Sequence, residues 1–347
     1  MIVVQFGEIN VLRLMNTVGN MRLICVLSLL AFMVQGCVSA EWRIVSKEKC
    51  ESTRVIPDKI VLDSTLALRT WERVGDYVVM LLPGNVGEVV HIYTFPEFGF
   101  CGSYLRYGRD SDEYLSMNLM GGNFNNSFSL YDMNNKIIRQ YSVSDLQLDE
   151  VSIFPMHDLG TDKGNLLPSY VDILRIDDVR YLFHVSDRTS EELILADING
   201  RRPISRLCDM LTYRDWTKDQ YLEYFYQLDA SATHVVRAFE NLEKIDIYKI
   251  FPTEIKPSVS IEGSSKQMSG DIYNLAVDCG DASFAVCRAG NEKCCVLEVY
   301  DYDGKMLSNI QTDNQIYNII YDEEYKRIYA YAEDLDEPTI LVYQLKQ

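Results

Sequence analysis

The sequence predicts an all-β protein, a six-bladed β-propeller whose ring is closed by an N-terminal strand. Three observations carry that expectation. A six-residue phrase recurs six times at a mean interval of 50 residues, tight-turn dipeptides follow it, and its strand is apolar on both faces.

The phrase reads apolar, any, aliphatic, Tyr or Ala, polar, apolar. It occupies residues 90–95, 128–133, 193–198, 245–250, 297–302 and 340–345, with Tyr93, Tyr131, Ala196, Tyr248, Tyr300 and Tyr343 as markers. The intervals are 38, 65, 52, 52 and 43 residues, and an insertion over 158–168, containing Gly160, Gly164 and Pro168, accounts for the longest. Three copies run into Asn134-Asn135, Asn199-Gly200 and Asp303-Gly304, dipeptides that tolerate the positive φ of tight hairpins. Another hairpin precedes the fifth copy, turning at Gly290-Asn291. Four antiparallel strands per 40–50 residues is the size of a propeller blade. A sandwich strand would show one polar face, whereas a blade is packed between two neighbours. The last copy has strand-like runs at 316–321, 327–332 and 339–345 and stops one strand short, so a strand within 52–56 is expected to complete it. Closure removes the exposed sheet edges.

The N-terminal stretch reads as an address. Arg22 precedes a twelve-residue apolar run, 23–34, too short to span a bilayer but suited to an export signal. Val34-Gln35-Gly36-Cys37 resembles a bacterial lipobox, in which Cys37 would carry the lipid; cleavage after Val38-Ser39-Ala40 is the plain alternative. The expected organisation is an upstream extension and signal over 1–36, a tether over 37–51 and the propeller over 52–347.

The 51 acidic residues outnumber 33 basic ones, a net charge of −18 that becomes −19 once residues 1–36 are removed. Such a field repels phosphate backbones, which argues against nucleic-acid binding. None of His91, His157, His184 and His234 has metal-ligand spacing, and no P-loop, dinucleotide fingerprint or nucleophile elbow is present. No cofactor, metal or catalytic residue is therefore assigned. Asp301-x-Asp303-Gly304 looks like the start of a calcium loop but lacks the downstream glutamate, which leaves a hairpin turn. A two-residue turn at Gly290-Asn291 would set Cys287 opposite Cys294, within disulfide range; buried free thiols are the alternative. Candidate ligand-binding residues are Arg109, Asp112 and Glu113 in a blade-connecting loop, which also suit bracing of two blades. Trp216 and Tyr221 join them in the aromatic stretch 213–226, suited to sugar stacking, a protein contact or a core plug.

One further segment carries a family likeness. Tyr93-Thr94-Phe95-Pro96-Glu97-Phe98 is followed by Tyr107-Gly108-Arg109-Asp110-Ser111-Asp112-Glu113-Tyr114. With the lipobox and the repeats, this resembles the TolB-like six-bladed propeller lipoproteins of Bacteroides-type Gram-negative bacteria, which show Gly-x-Gly-Pro-x-Glu-aromatic between the first two blades. Gly108, Arg109, Glu113 and Tyr114 match, while Asp110 and Ser111 stand in place of Gly-Pro. The resemblance covers residues 37–347 and implies a propeller fold and an outer-membrane lipoprotein of the cell envelope. It transfers no catalytic residue.

The functional expectation is a non-catalytic, lipid-anchored, monomeric scaffold. It would bind a protein or carbohydrate ligand through one face of the ring and touch the membrane through its anchor alone. The competing expectation is a periplasmic or surface hydrolase or lyase that uses acidic residues in the propeller channel.

Overall fold

The computed structural model describes residues 42–346 apart from 48–51, 63–67, 84–86, 109–112, 115, 125, 133–134, 145–146, 156–169, 187–190, 200–201, 209–225, 240–241, 264–275, 290–294 and 333–336. Three short strands come first: β1 (Arg43–Ser46), β2 (Thr53–Arg54) and β3 (Asp58–Val61). Six sheets follow, five of them built on four successive strands. Blade 1 holds β4 (Thr70–Val74), β5 (Tyr77–Leu81), β6 (Glu88–Thr94) and β7 (Phe100–Tyr107), with the two-residue β8 (Glu113–Tyr114) along its outer edge. Blade 2 holds β9 (Met117–Phe124), β10 (Ser127–Asp132), β11 (Ile137–Ser144) and β12 (Gln147–Pro155). Blade 3 holds β13 (Tyr170–Arg175), β14 (Arg180–Ser186), β15 (Glu191–Asp197) and β16 (Arg202–Cys208). Blade 4 is β17 (Tyr226–Ala230), β18 (His234–Phe239), β19 (Lys244–Ile250) and β20 (Ile255–Glu262). Blade 5 is β21 (Ala276–Cys279), β22 (Ser283–Ala289), β23 (Cys295–Asp301) and β24 (Met306–Gln311). Blade 6 has β25 (Asn318–Asp322), β26 (Arg327–Ala332) and β27 (Thr339–Gln344), and takes β3 as its fourth strand.

The apolar faces explain why the blades stand side by side. Six buried clusters occur, one at each junction: blades 1 and 2, 2 and 3, 3 and 4, 4 and 5, 5 and 6, and 6 and 1. Each blade gives one face to either neighbour, which is why the repeated phrase is apolar at both parities. Burial of these side chains is the main term holding the ring, at about 25 cal/mol per Å² of apolar surface.

The turns follow the sequence chemistry. Gly75 and Gly304 take positive φ of 60° and 85° in two of the hairpins. In the second of these, the Asp301 carboxylate accepts the N–H groups of Asp303 (3.0 Å) and Lys305 (2.8 Å), so its oxygens serve the turn.

Two sequence expectations shift in position. The strand that closes the ring is β3 at Asp58–Val61, running antiparallel to β27 with Ile60 opposite Ile340, and not a strand within 52–56. Thr53–Arg54 runs parallel to β24 on the outer edge of blade 5, as β1 does to β20 on blade 4. The N-terminal segment therefore lies along three consecutive blades, with Val45, Val55 and Ile60 packed against the clusters between blades 4 and 5, 5 and 6, and 6 and 1. Lys47 adds an ion pair to the largely buried Glu298 of blade 5 (2.6 Å), which Arg288 also faces (3.2 Å).

The second copy of the phrase is displaced within its blade. Elsewhere the phrase forms the third strand, but residues 128–133 belong to the second strand of blade 2. Between third and fourth strands a register shift falls just before Tyr93, Ala196, Tyr248 and Tyr300, and in blade 2 it falls just before Tyr141. Tyr141 is the structural equivalent of the marker, as buried as Tyr93, Tyr248, Tyr300 and Tyr343. Moving the marker from residue 131 to 141 turns the uneven intervals of 38 and 65 into 48 and 55. The long interval is thus mainly a matter of register, and the stretch 158–168 lies outside the described residues.

Candidate functional site: the central channel

The first strand of every blade lines the ring's centre. Residues of β4, β9, β13, β17, β21 and β25 enclose a cavity of about 520 Å³, with Thr70, Asn118, Asp172, Gln227, Ala276 and Asn318 each contributed by a different blade. A second cavity of about 490 Å³ lies at the ends of four of these strands, among Arg73, Ser231, Asp278, Asp322 and the turns that follow. Glu72 and Asp229 border both cavities and so form the waist between them. They come from blades 1 and 4, on opposite sides of the ring.

The carboxylates here are unequally served. One Asp229 oxygen accepts the Cys279 N–H at 2.6 Å, and one Asp278 oxygen accepts the Tyr321 N–H at 2.5 Å. Asp322 pairs with Arg73 at 3.2 Å, and that guanidinium also lies over the Phe95 ring at 4.3 Å. Glu323 accepts the N–H groups of Asp281 (2.8 Å) and Ala282 and the Ser283 hydroxyl, which ties up its charge in the turn at 280–283. Glu72 makes no hydrogen bond or ion pair with any described residue.

Burial and mutual repulsion shift these groups. Burial first, then the charge of Asp278, pushes Asp229 up to about 8. Burial raises Asp278 to about 6, held there by the Tyr321 N–H and the Arg73 guanidinium. Glu72 is raised well above the usual carboxylate range by burial, then by Asp229 and Asp278. The Cys279 thiol beside them is pushed up by burial and by both aspartates. Near neutral pH Asp229 therefore holds a proton that it would lose in water.

The wall between blades 3 and 4 carries a second polar group. Asp172 faces the first cavity with its carboxylate 3.6 Å from Nδ1 of the buried His184, and His184 Nε2 lies 2.5 Å from the Tyr226 hydroxyl. His91 packs against the Phe100 ring on blade 1, and burial lowers its pKa.

The sequence candidates lie elsewhere. Glu113 sits on β8, the outermost strand of blade 1, where Tyr114 inserts between blades 1 and 2 and its hydroxyl meets that of Tyr141 at 2.6 Å. Cys37, Arg109, Asp112, Trp216, Tyr221 and Cys294 lie outside the described residues. Cys287 stands opposite Ala276 and Leu297, and the ladder from β22 to β23 ends at Ala289 and Cys295. The ladder thus sets Leu297 opposite Cys287, and the expected turn at Gly290-Asn291 lies outside the described residues. Cys287 is a buried free thiol, pushed up by hydrogen bonding with Cys295 and by burial. The channel acids escaped sequence reading because they occur singly, as Trp71-Glu72-Arg73, Leu228-Asp229-Ala230 and Val277-Asp278-Cys279. Their one signal is an acid placed near the end of the first apolar run in blades 4, 5 and 6.

No family model matches the chain, and no curated protein matches it. Among solved structures, it is similar to a presumed exported protein from Bacteroides fragilis, with a TM-score of 0.55 at 12% identity over 88% of this chain and 100% of that one. It is also similar to the β-propeller domain of Cps50 (Swd1) from Myceliophteria thermophila, with a TM-score of 0.49 at 10% identity over 83% of this chain and 100% of that domain. At these identities the likeness concerns the fold alone.

Proposed function

We propose that the protein is a lipid-anchored envelope propeller acting as a non-catalytic binding scaffold, with its ligand seated in the central channel. The observation that carries this reading is the pair of cavities meeting at Glu72 and Asp229, lined by the first strand of all six blades. A rigid ring with a solvent-accessible centre presents side chains from many elements to one ligand, the usual arrangement of a binding pocket. The exported neighbour from Bacteroides fragilis and the lipobox-like Val34-Gln35-Gly36-Cys37 support an extracytoplasmic location and, on the second, an outer-membrane anchor.

The anchor is tested by Cys37→Ala, which is expected to move the chain from the membrane fraction to the soluble fraction; continued membrane retention would count against lipidation. The channel is tested by Gln227→Trp, which places an indole in the first cavity from an exposed position and leaves the core intact. Incubated with small-molecule and glycan pools, the wild-type chain is expected to retain compounds that the variant does not. Equal retention by both would overturn the channel as the binding site.

A second reading has one observation in its favour. Asp229 and Asp278 are neighbouring acids, one protonated near neutral pH and the other largely ionised, the division of roles used in general acid and base catalysis. The same pools distinguish it: compounds consumed by the wild type and spared by Asp278→Asn would make the channel an active site.

A further inference from the structure

Resting on the extracytoplasmic location argued above, we propose that Cys287 and Cys295 are joined by a disulfide in the mature protein, a covalent staple between the second and third strands of blade 5. Both are free thiols in the structure. The ladder sets Cys287 opposite Leu297 and Cys295 opposite Ala289, so the two cysteines are diagonal neighbours on β22 and β23. They share a face, since both belong to the cluster between blades 5 and 6 together with Ala285, Leu297 and Val299 of the same strands. The Cys287 thiol hydrogen-bonds the Cys295 sulfur, which also accepts the Ile316 N–H at 3.3 Å. The other described cysteines are placed apart. Cys101 lies on blade 1, and Cys279 packs at the junction of blades 4 and 5, on the opposite face of blade 5.

Diagonal neighbours of an antiparallel pair stand wider apart than directly opposed residues, so a bridge here requires the two side chains to point at one another. The sulfur–sulfur hydrogen bond shows that they do, and rotation of each thiol about its Cα–Cβ bond closes the remaining gap. In an exported chain such a pair meets an oxidising environment.

The oxidant is the disulfide of a thiol–disulfide exchange protein. One cysteine, as its thiolate, attacks a sulfur of that disulfide, forming a mixed disulfide and releasing one donor thiolate. The second cysteine then attacks the first, releasing the other donor sulfur. The chain loses two S–H bonds and gains one S–S bond, and two electrons and two protons pass to the donor, which leaves as a dithiol. Cys287 and Cys295 are 0% and 1% exposed in the folded ring, so exchange precedes the packing of blade 5 against blade 6. Once packed, the bond is shielded from reductants.

The staple sits behind the ligand cavity. Cys287 stands opposite Ala276 in the wall of the first cavity, and Cys295 holds Ile316 two residues ahead of Asn318 in the same wall. The bond thus fixes the side of the cavity formed by blades 5 and 6.

The test takes the full-length chain from the envelope fraction, alkylates it in denaturant without reductant, and digests it with trypsin. Peptides 267–288 and 294–305 are expected as a linked pair that separates on reduction. The link should persist in Cys279→Ser and in Cys294→Ser and disappear in Cys287→Ser and in Cys295→Ser. The reduced, unfolded wild-type chain should form the same pair when refolded in a glutathione redox buffer. Its thermal midpoint should then lie roughly 5 °C above that of the chain refolded with reductant. Dithiothreitol should cleave the bond only after denaturant is added. Alkylated Cys287 and Cys295 in the envelope-derived chain, failure to pair on refolding, or a link that survives Cys295→Ser would overturn the proposal. Recovery of the chain from the cytoplasm alone would overturn the location, and the refolding arm would then decide the pairing by itself.

Discussion

Between pH 6.5 and pH 8 the thermal midpoint of the wild-type chain is expected to fall by roughly 4 °C more than that of Asp229→Asn, corresponding to about 2 kcal/mol. The cause is the proton held by Asp229, whose pKa is raised to about 8 by burial and the Asp278 charge. Over this window the native state binds more protons than the unfolded chain, so stability is complete at lower pH and drains away as pH climbs through the folded value. Asp278, raised to about 6, loses its share mainly below this window. His234 is lowered to about 4 by burial and Lys249 and works in the opposite sense, but only up to the ordinary histidine value near 6.5. That is why the comparison begins there. Asparagine resembles the protonated acid and carries no such linkage, so the variant should already melt above the wild type at pH 6.5 and the gap should widen as pH rises. Parallel curves across the range would show that Asp229 is ionised in the folded ring.

Ile60→Asp is expected to lower stability by roughly 3–4 kcal/mol, whereas Val61→Asp on the next residue should stay within about 0.5 kcal/mol. Both lie on the strand that closes the ring, opposite Ile340 and Thr339 respectively. Ile60 packs against the apolar cluster between blades 6 and 1, whose members include the fully buried Ile340 and nearly buried Tyr329. Val61 points outward and is 54% exposed. A carboxylate at position 60 must either be buried without a partner or pull the closing strand away. Chemical denaturation of the two variants separates the cases, and equal losses would mean that closure depends on the backbone ladder alone.

The ring was legible in the sequence because its blades share one strand with a strict demand. The third strand is covered on both faces, so apolar residues recur at both parities, and its bulge fixes a large aromatic at Tyr93, Tyr248 and Tyr300. Blade 2 misled because the equivalent strand carries Gln140 where the phrase wants an aliphatic residue, while the adjacent strand over 128–133 imitates the pattern. The missing twenty-fourth blade strand could be inferred from the shortfall at the C-terminus, but its position could not. Asp58–Val61 has only four residues and little local preference, and its place is decided by Ile60 fitting the last junction. The channel was illegible for a related reason. First strands share no phrase, and Glu72, Asp229 and Asp278 are far apart in the chain, so only closure of the ring brings them to one axis.

The N-terminal segment that lies across blades 4, 5 and 6 also sets how the molecule takes a mechanical load. A force applied ahead of Trp42 does not reach the closing strand first. It meets β1 on the edge of blade 4, then the Lys47–Glu298 ion pair, then β2 on blade 5, and only afterwards β3. These attachments are in series, so each must yield before the next is strained. The outer two would part as sacrificial stitches, lengthening the leash while the seam of the ring stays shut. A propeller held in this way can be tugged from its N-terminal end without its central channel being pulled open.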